Sequence, residues 1–104
     1  MNFDSKIALG VLFGGQSSEH DISCISASGV LANLEDEHYT VFPVGITREG
    51  LWWLYTGEYS RIADLSWEED AEHLVPVVLS PCKAHRGLVL FDKAAATYRV
   101  QKLD

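Results

Sequence analysis

Basic residues are scarce in this chain of 104 residues: eight lysines and arginines face fifteen acidic residues, and the formal net charge is −7. No Lys/Arg cluster is visible, so a nucleic-acid or anionic-membrane partner, which needs a basic face, is not expected. Long apolar runs are missing too, none approaching the ~20 residues of a membrane helix. Met1-Asn2-Phe3-Asp4-Ser5-Lys6 leads into an apolar run broken by glycines and without a small-residue cleavage pattern. No signal peptide is read there, and the expected location is the cytoplasm. The two cysteines, Cys24 and Cys82, are far apart and follow no metal-ligand spacing, which suits two reduced thiols. Neither G-x-G-x-x-G nor G-x-x-x-x-G-K-S/T occurs, and no Ser-His-Asp ordering or metal-spaced His/Cys cluster stands out. No internal repeat or low-complexity tract appears, and the length suits one small domain.

What is present is concentrated near the amino terminus. Residues 7–13, Ile-Ala-Leu-Gly-Val-Leu-Phe, are almost all apolar without alternation, as in a strand covered on both faces. Gly14-Gly15 then permits a sharp turn at φ > 0. Ser17 or Ser18 can cap the next helix, with Asp21 three residues after Ser18 as a short capping box. Glu19 and His20 therefore fall in the first helical turn, at the carboxyl end of a strand, where open α/β sheets place their ligands.

Ile22, Ile25, Ala27, Val30, Leu31 and Leu34 recur at three- and four-residue spacing and predict an amphipathic helix over 21–33. After a polar break at 35–38, residues 39–46 read as a second strand, completing a βαβ unit with a parallel, right-handed crossover. Pro43 inside that strand points to a sheet edge or a bulge. Residues 46–55 read as a hairpin turning at Gly50, with Trp52 and Trp53 on opposite faces, one for the core and one for a lid or contact surface. Residues 56–74 are expected to be loop with a turn or two of helix, and the acidic run 67–72 a solvated face or helix start. Three short, antiparallel strands follow at 74–79, 87–91 and 97–103, the last one exposed.

On physical grounds alone, the glycine turn before a capped helix is a generic anion-friendly site, and Glu19 is open to two uses, helix-dipole partner or functional group. Taken whole, Val11-Leu12-Phe13-Gly14-Gly15-Gln16-Ser17-Ser18-Glu19-His20-Asp21-Ile22-Ser23 resembles the amino-terminal signature of the D-alanine:D-alanine ligases, including the variant ligases that make D-alanyl-D-lactate or D-alanyl-D-serine. The similarity continues through the helix, the second strand and the 46–52 hairpin, covering roughly residues 6–55.

The resemblance implies an α/β fold with a Rossmann-like βαβ core, a partly parallel sheet and an appended antiparallel hairpin region. It implies that residues 1–104 form the pre-ATP-grasp domain, truncated before the catalytic ATP-grasp domain. Glu19, the catalytic candidate, would contact the ammonium of the first D-alanine; Gly14 and Gly15 would give that substrate room, and His20 would support the site. ATP and Mg2+ would serve the full-length enzyme, with neither bound by this chain alone, which should not ligate anything. The implied partners are D-alanine, the remainder of the ligase and, at full length, a second copy in a homodimer, in the service of peptidoglycan synthesis. A stand-alone binding module using the βαβ face or the Trp52-Trp53 hairpin is the alternative.

Overall fold

β1 (Ile7–Gly14), α1 (His20–Asn33), β2 (Tyr39–Ile46) and β3 (Trp52–Tyr55) open the computed structural model, which describes residues 6–34, 37–92 and 94–104. A short helix α2 (Ser60–Ala63) and two 3-10 turns, Ser66–Glu69 and Ala71–His73, lead to β4 (Leu74–Leu79), β5 (Gly87–Asp92) and β6 (Thr97–Lys102). Positions 35–36 of the expected polar break, and Lys93 between β5 and β6, lie outside the described residues.

The six strands lie side by side in chain order. β1 and β2 are parallel, in register from Ile7 opposite Tyr39 to Gly14 opposite Ile46, and every later pair is antiparallel. The fold is therefore mixed α/β with a mostly antiparallel sheet, and its parallel character is confined to one pair. The sheet curls because β4 divides its partners: Leu74–Pro76 pair with β3, and Val77–Leu79 pair with β5. The curl brings the end of the chain back to β1, where Asp104 N–H donates to Ala8 O at 2.8 Å and Ala8 N–H donates to Asp104 Oδ2 at 2.6 Å.

The two faces of the sheet carry two cores. Phe13, Tyr55 and Trp67 pack with Cys24, Ala27 and Leu31 of α1 and with Ile62. On the other face Val44, Leu54, Val77, Leu88 and Leu90 form a second cluster inside the curl. Alternation along β3 divides the tryptophans, Trp53 against the first cluster and Trp52 against the second. Both are half-buried packing residues, so the expected division into one core residue and one lid does not hold.

Several expectations are corrected. The buried stripe of α1 is His20, Cys24, Ala27 and Leu31, whereas Ile22, Ile25 and Val30 are 60%, 59% and 53% exposed. The helix is apolar nearly all round, so spacing alone could not choose its inner face. Its N-cap is Glu19, with no side-chain cap, and Ser17 Oγ instead accepts Glu19 N–H at 3.2 Å. Asp21 closes no capping box because its carboxylate turns to His20 and Arg48.

β1 is not covered on both faces along its length, since Ile7 and Leu12 are nearly half exposed. β2 is interior, not an edge. Pro43 is tolerated there because pairing with β3 spans only Val44–Ile46, so its missing N–H removes no rung of that ladder. The acidic run is solvated at Glu68, Glu69 and Glu72 and turns through the two 3-10 helices, as expected, but Trp67 is fully buried and Asp70 nearly so.

Asp70 accepts the Tyr55 hydroxyl at 2.9 Å and faces His73 Nδ1 at 2.9 Å. The His73 contact, with the Tyr55 hydrogen bond behind it, holds the Asp70 carboxyl below its ordinary range. Burial, and then Asp70, push the Tyr55 hydroxyl up to about 12. A raised tyrosine carries stability that is complete below its ordinary value near 10 and is lost as pH rises through about 12. A depressed carboxyl does the reverse, losing its contribution as pH falls through its folded value.

Two measurements check this packing. A methyl at Gly45 would strike the Trp67 ring and lie 2.8 Å from Phe13 Cε2, whereas one at Gly29 on α1 meets nothing within 4 Å. Gly45→Ala should therefore lower stability to urea by about 1–3 kcal/mol, and Gly29→Ala should raise it by about 0.5–1 kcal/mol. Between about pH 10 and 12 the urea midpoint of the native chain should fall more steeply than that of Tyr55→Phe, which has no hydroxyl to ionise.

Candidate functional site

The end of β1 meets the start of α1 and the β2–β3 turn at a single rim. Gly14 has φ +83° and Gly15 φ +109°, left-handed backbone that favours glycine. A Cβ at Gly14 would strike the Ile46 carbonyl oxygen and come within 3.3 Å of His20 Cδ2, so this glycine is also required by close approach. The turn is pinned from both sides: Gly15 N–H donates to Ile46 O at 2.8 Å, and Gly14 N–H donates to Ser23 Oγ of α1 at 3.1 Å. Beside it the β2–β3 turn reverses at Gly50, φ +88°, over the Gln16 side chain.

Gly15 faces open space, with nothing within 4 Å of where its Cβ would stand. Glu19 is exposed on the same rim, at the N-cap of a helix of 14 residues. Its carboxylate has no hydrogen-bond or ion-pair partner among the described residues. It is an available anionic acceptor beside an open glycine turn.

His20 points the other way. It is 1% exposed, its Nδ1 lies 3.0 Å from Asp21 Oδ1, and its Nε2 lies 3.1 Å from Glu68 Oε1. Its ring stacks on Trp67 with centroids 6.4 Å apart and planes 16° from parallel. Asp21 is also ion-paired with Arg48 of the β2–β3 turn. Gly15 and Glu19 thus share one open rim, with Gly14 packed closely against Ile46 behind it, while His20 sits beneath with both ring nitrogens engaged.

Glu68, Arg48 and Trp67 went unrecognised as contributors to the site. Arg48 lay in a hairpin read only for its turn, and the other two in an acidic run read as surface. A tryptophan opening such a run was the available signal, since so large an apolar side chain seldom stays in water.

Cys24 is fully buried below His20, and burial pushes its thiol up. The Trp67 indole acts on it in the opposite, smaller sense. Trp67 Nε1 has no partner at hydrogen-bond distance, so its interaction with the sulfur is a weak one. Cys24 is accordingly a packing residue.

Other clefts lie away from the rim. One of about 560 Å³ is lined by Trp53, Pro76, Phe91, Tyr98 and Arg99 among others, and one of about 450 Å³ by Thr56, Arg61, Asp70 and His73 among others. Among the described residues no group of three or more His, Cys, Asp or Glu is placed to hold a metal ion. No helix among them is long and apolar enough to cross a membrane.

The chain was compared with known proteins. The family model described as "D-ala D-ala ligase N-terminus" matches residues 8–102. A D-alanine–D-alanine ligase of Thermoanaerobacter sp. (strain X514) is 37% identical over 87 residues, 84% of this chain and 23% of that protein. One from Clostridium novyi (strain NT) is 48% identical over 65 residues, 62% of this chain and 19% of that protein. Among solved structures, the VanG D-Ala:D-Ser ligase from Enterococcus faecalis superposes with a TM-score of 0.86 at 37% identity, covering 96% of this chain and 27% of that one. The chain spans about a quarter of the length of the relatives it matches. With the family model matching from β1 to the end of β6, the chain belongs to the family of D-alanine:D-alanine ligase amino-terminal domains.

Proposed function

We propose that this chain is the substrate-binding amino-terminal domain of an ATP-dependent D-alanine:D-alanine ligase of peptidoglycan precursor synthesis, in which Glu19 holds the ammonium of the first D-alanine. The observation that carries this is the uncommitted Glu19 carboxylate, exposed at the start of α1 beside the open Gly14–Gly15 turn. A carboxylate at a helix start can take a substrate cation through a charge-assisted hydrogen bond. Holding that reactant in place is itself catalytic. Gly15 contributes space, Gly14 allows the close turn behind it, and the domain supplies one wall of the site.

ATP and Mg2+ belong to the remainder of the enzyme. Their chemistry there would be activation of the first D-alanine carboxylate. No described cluster of this chain has the donor set for a magnesium ion, and no phosphoryl step is assigned to its residues. The remaining elements of the proposal are a cytoplasmic location, a homodimer at full length and a Rossmann-like character for the βαβ core formed by β1, α1 and β2. A stand-alone binding module is less well supported, because Trp52 and Trp53 of its supposed contact hairpin each pack against a core cluster.

The test is Glu19→Gln in the full-length ligase that contains this domain. Gln keeps an acceptor oxygen but removes the charge that makes this hydrogen bond roughly twice as strong as a neutral one, a loss of about 1–2 kcal/mol, so the KM for the first D-alanine should rise about fivefold to thirtyfold. An unchanged KM and turnover would contradict the assignment.

A further inference from the structure

Three carboxylates stand at or just below the rim: Glu19, Asp21 and Glu68. Asp21 is committed to Arg48 and to His20 Nδ1, and Glu68 is committed to His20 Nε2. Glu19 alone of the three has no partner among the described residues. From these contacts we infer that Glu68 is a positioning residue for the first-substrate site, acting through His20 to aim Glu19. This rests on the assignment of Glu19 as the ammonium acceptor.

The geometry gives the linkage its direction. A carboxylate oxygen only accepts, so a ring nitrogen facing one must donate. His20 faces carboxylates at both nitrogens, 3.0 Å and 3.1 Å away, and the doubly protonated ring is the form that satisfies both. His20 is also the first residue of α1 and directly follows Glu19 in the chain. With its ring 1% exposed and stacked on Trp67, His20 cannot pivot without moving that indole or the helix start. The link from Glu68, 48 residues downstream, therefore fixes the backbone from which the Glu19 side chain leaves.

Anchoring of the helix as a whole comes from elsewhere. Cys24, Ala27 and Leu31 are buried against the sheet, and Ser23 Oγ accepts from Gly14 N–H. Loss of Glu68, whose side chain is one-third exposed, should leave the helix in place and loosen only its first turn. The pairing has a second consequence: with Glu68 and Asp21 already engaged, neither competes with Glu19 for an incoming ammonium.

The experiment is a KM-against-kcat comparison in the full-length ligase. Glu68→Ala should raise the KM for the first D-alanine about threefold to tenfold with kcat within about twofold, and should lower the thermal midpoint modestly, because it leaves the buried His20 Nε2 without its partner. Glu68→Gln, which still accepts from Nε2, should restore most of the affinity. The double variant Glu68→Ala/His20→Gln should be no worse than His20→Gln, since both interrupt one linkage. If His20→Gln fails to fold, the two Glu68 variants carry the test. An unchanged KM in Glu68→Ala, or a lowered midpoint and kcat with KM unmoved, overturns the inference while Glu19→Gln still raises KM. If Glu19→Gln has no effect, the site assignment falls and this inference falls with it.

Discussion

The Trp67 indole is the contact on which the arrangement depends. It is fully buried between sheet and helix, edge-on to Phe13 with ring centroids 5.0 Å apart, 6.3 Å from the Tyr55 ring and stacked under His20. It lies so close over β2 that only glycine fits at position 45. Four segments of the chain are thereby set against one side chain: the end of β1, the end of β2, the end of β3 and the start of α1. An aromatic of this size contributes both a large buried area and a fixed geometry. Its neighbours Glu68 and Asp70 carry that geometry outward, Glu68 to His20 and Asp70 to Tyr55 and His73.

The polar groups around the rim follow from that placement. A buried imidazole is costly unless both nitrogens are satisfied, and Asp21 and Glu68 satisfy them. Arg48 then balances the excess negative charge on Asp21. Glu19 stays outside the network, on the solvent side of the same helix start, and has no partner among the described residues. Of the three carboxylates at the rim, Asp21 and Glu68 are in this way held in structural pairs.

Much of this was legible in the chain itself. The unbroken apolar run, the paired glycines and the β-branched second strand placed β1, the turn, α1 and β2, and the left-handed backbone at Gly14, Gly15 and Gly50 is as the turns required. The three late strands also fell where turn residues bounded them. The inner face of α1 was legible only in part: Ala27, Leu31 and Leu34 of the apolar stripe pack on the core, but Ile22, Ile25 and Val30 do not. Ile22 and Ile25 are more apolar than His20, yet His20 is buried because its partners lie on another segment, and periodicity carries no information about partners. For the same reason the acidic run looked like surface: its charges are local facts, whereas the fit of Trp67 over Gly45 and the pairing of Asp70 with Tyr55 are tertiary ones. Pro43 pointed to an edge because the limited length of the β2–β3 ladder is set by the curl, which no local pattern records. Gly14, Gly15 and Glu19 were identifiable from the turn and the family resemblance. The underlying support from Glu68 and Arg48 was not.

The central claim is that the buried Trp67–His20 contact leaves Glu19 as the one carboxylate free to meet a substrate ammonium. The most direct measurement is a crystal structure of the full-length ligase with D-alanine bound at the first site. The ammonium nitrogen should lie about 2.7–3.2 Å from a Glu19 carboxylate oxygen, with His20 still between Asp21 and Glu68. An ammonium held by Asp21 or Glu68, or a Glu19 side chain turned away from the ligand, would contradict the account.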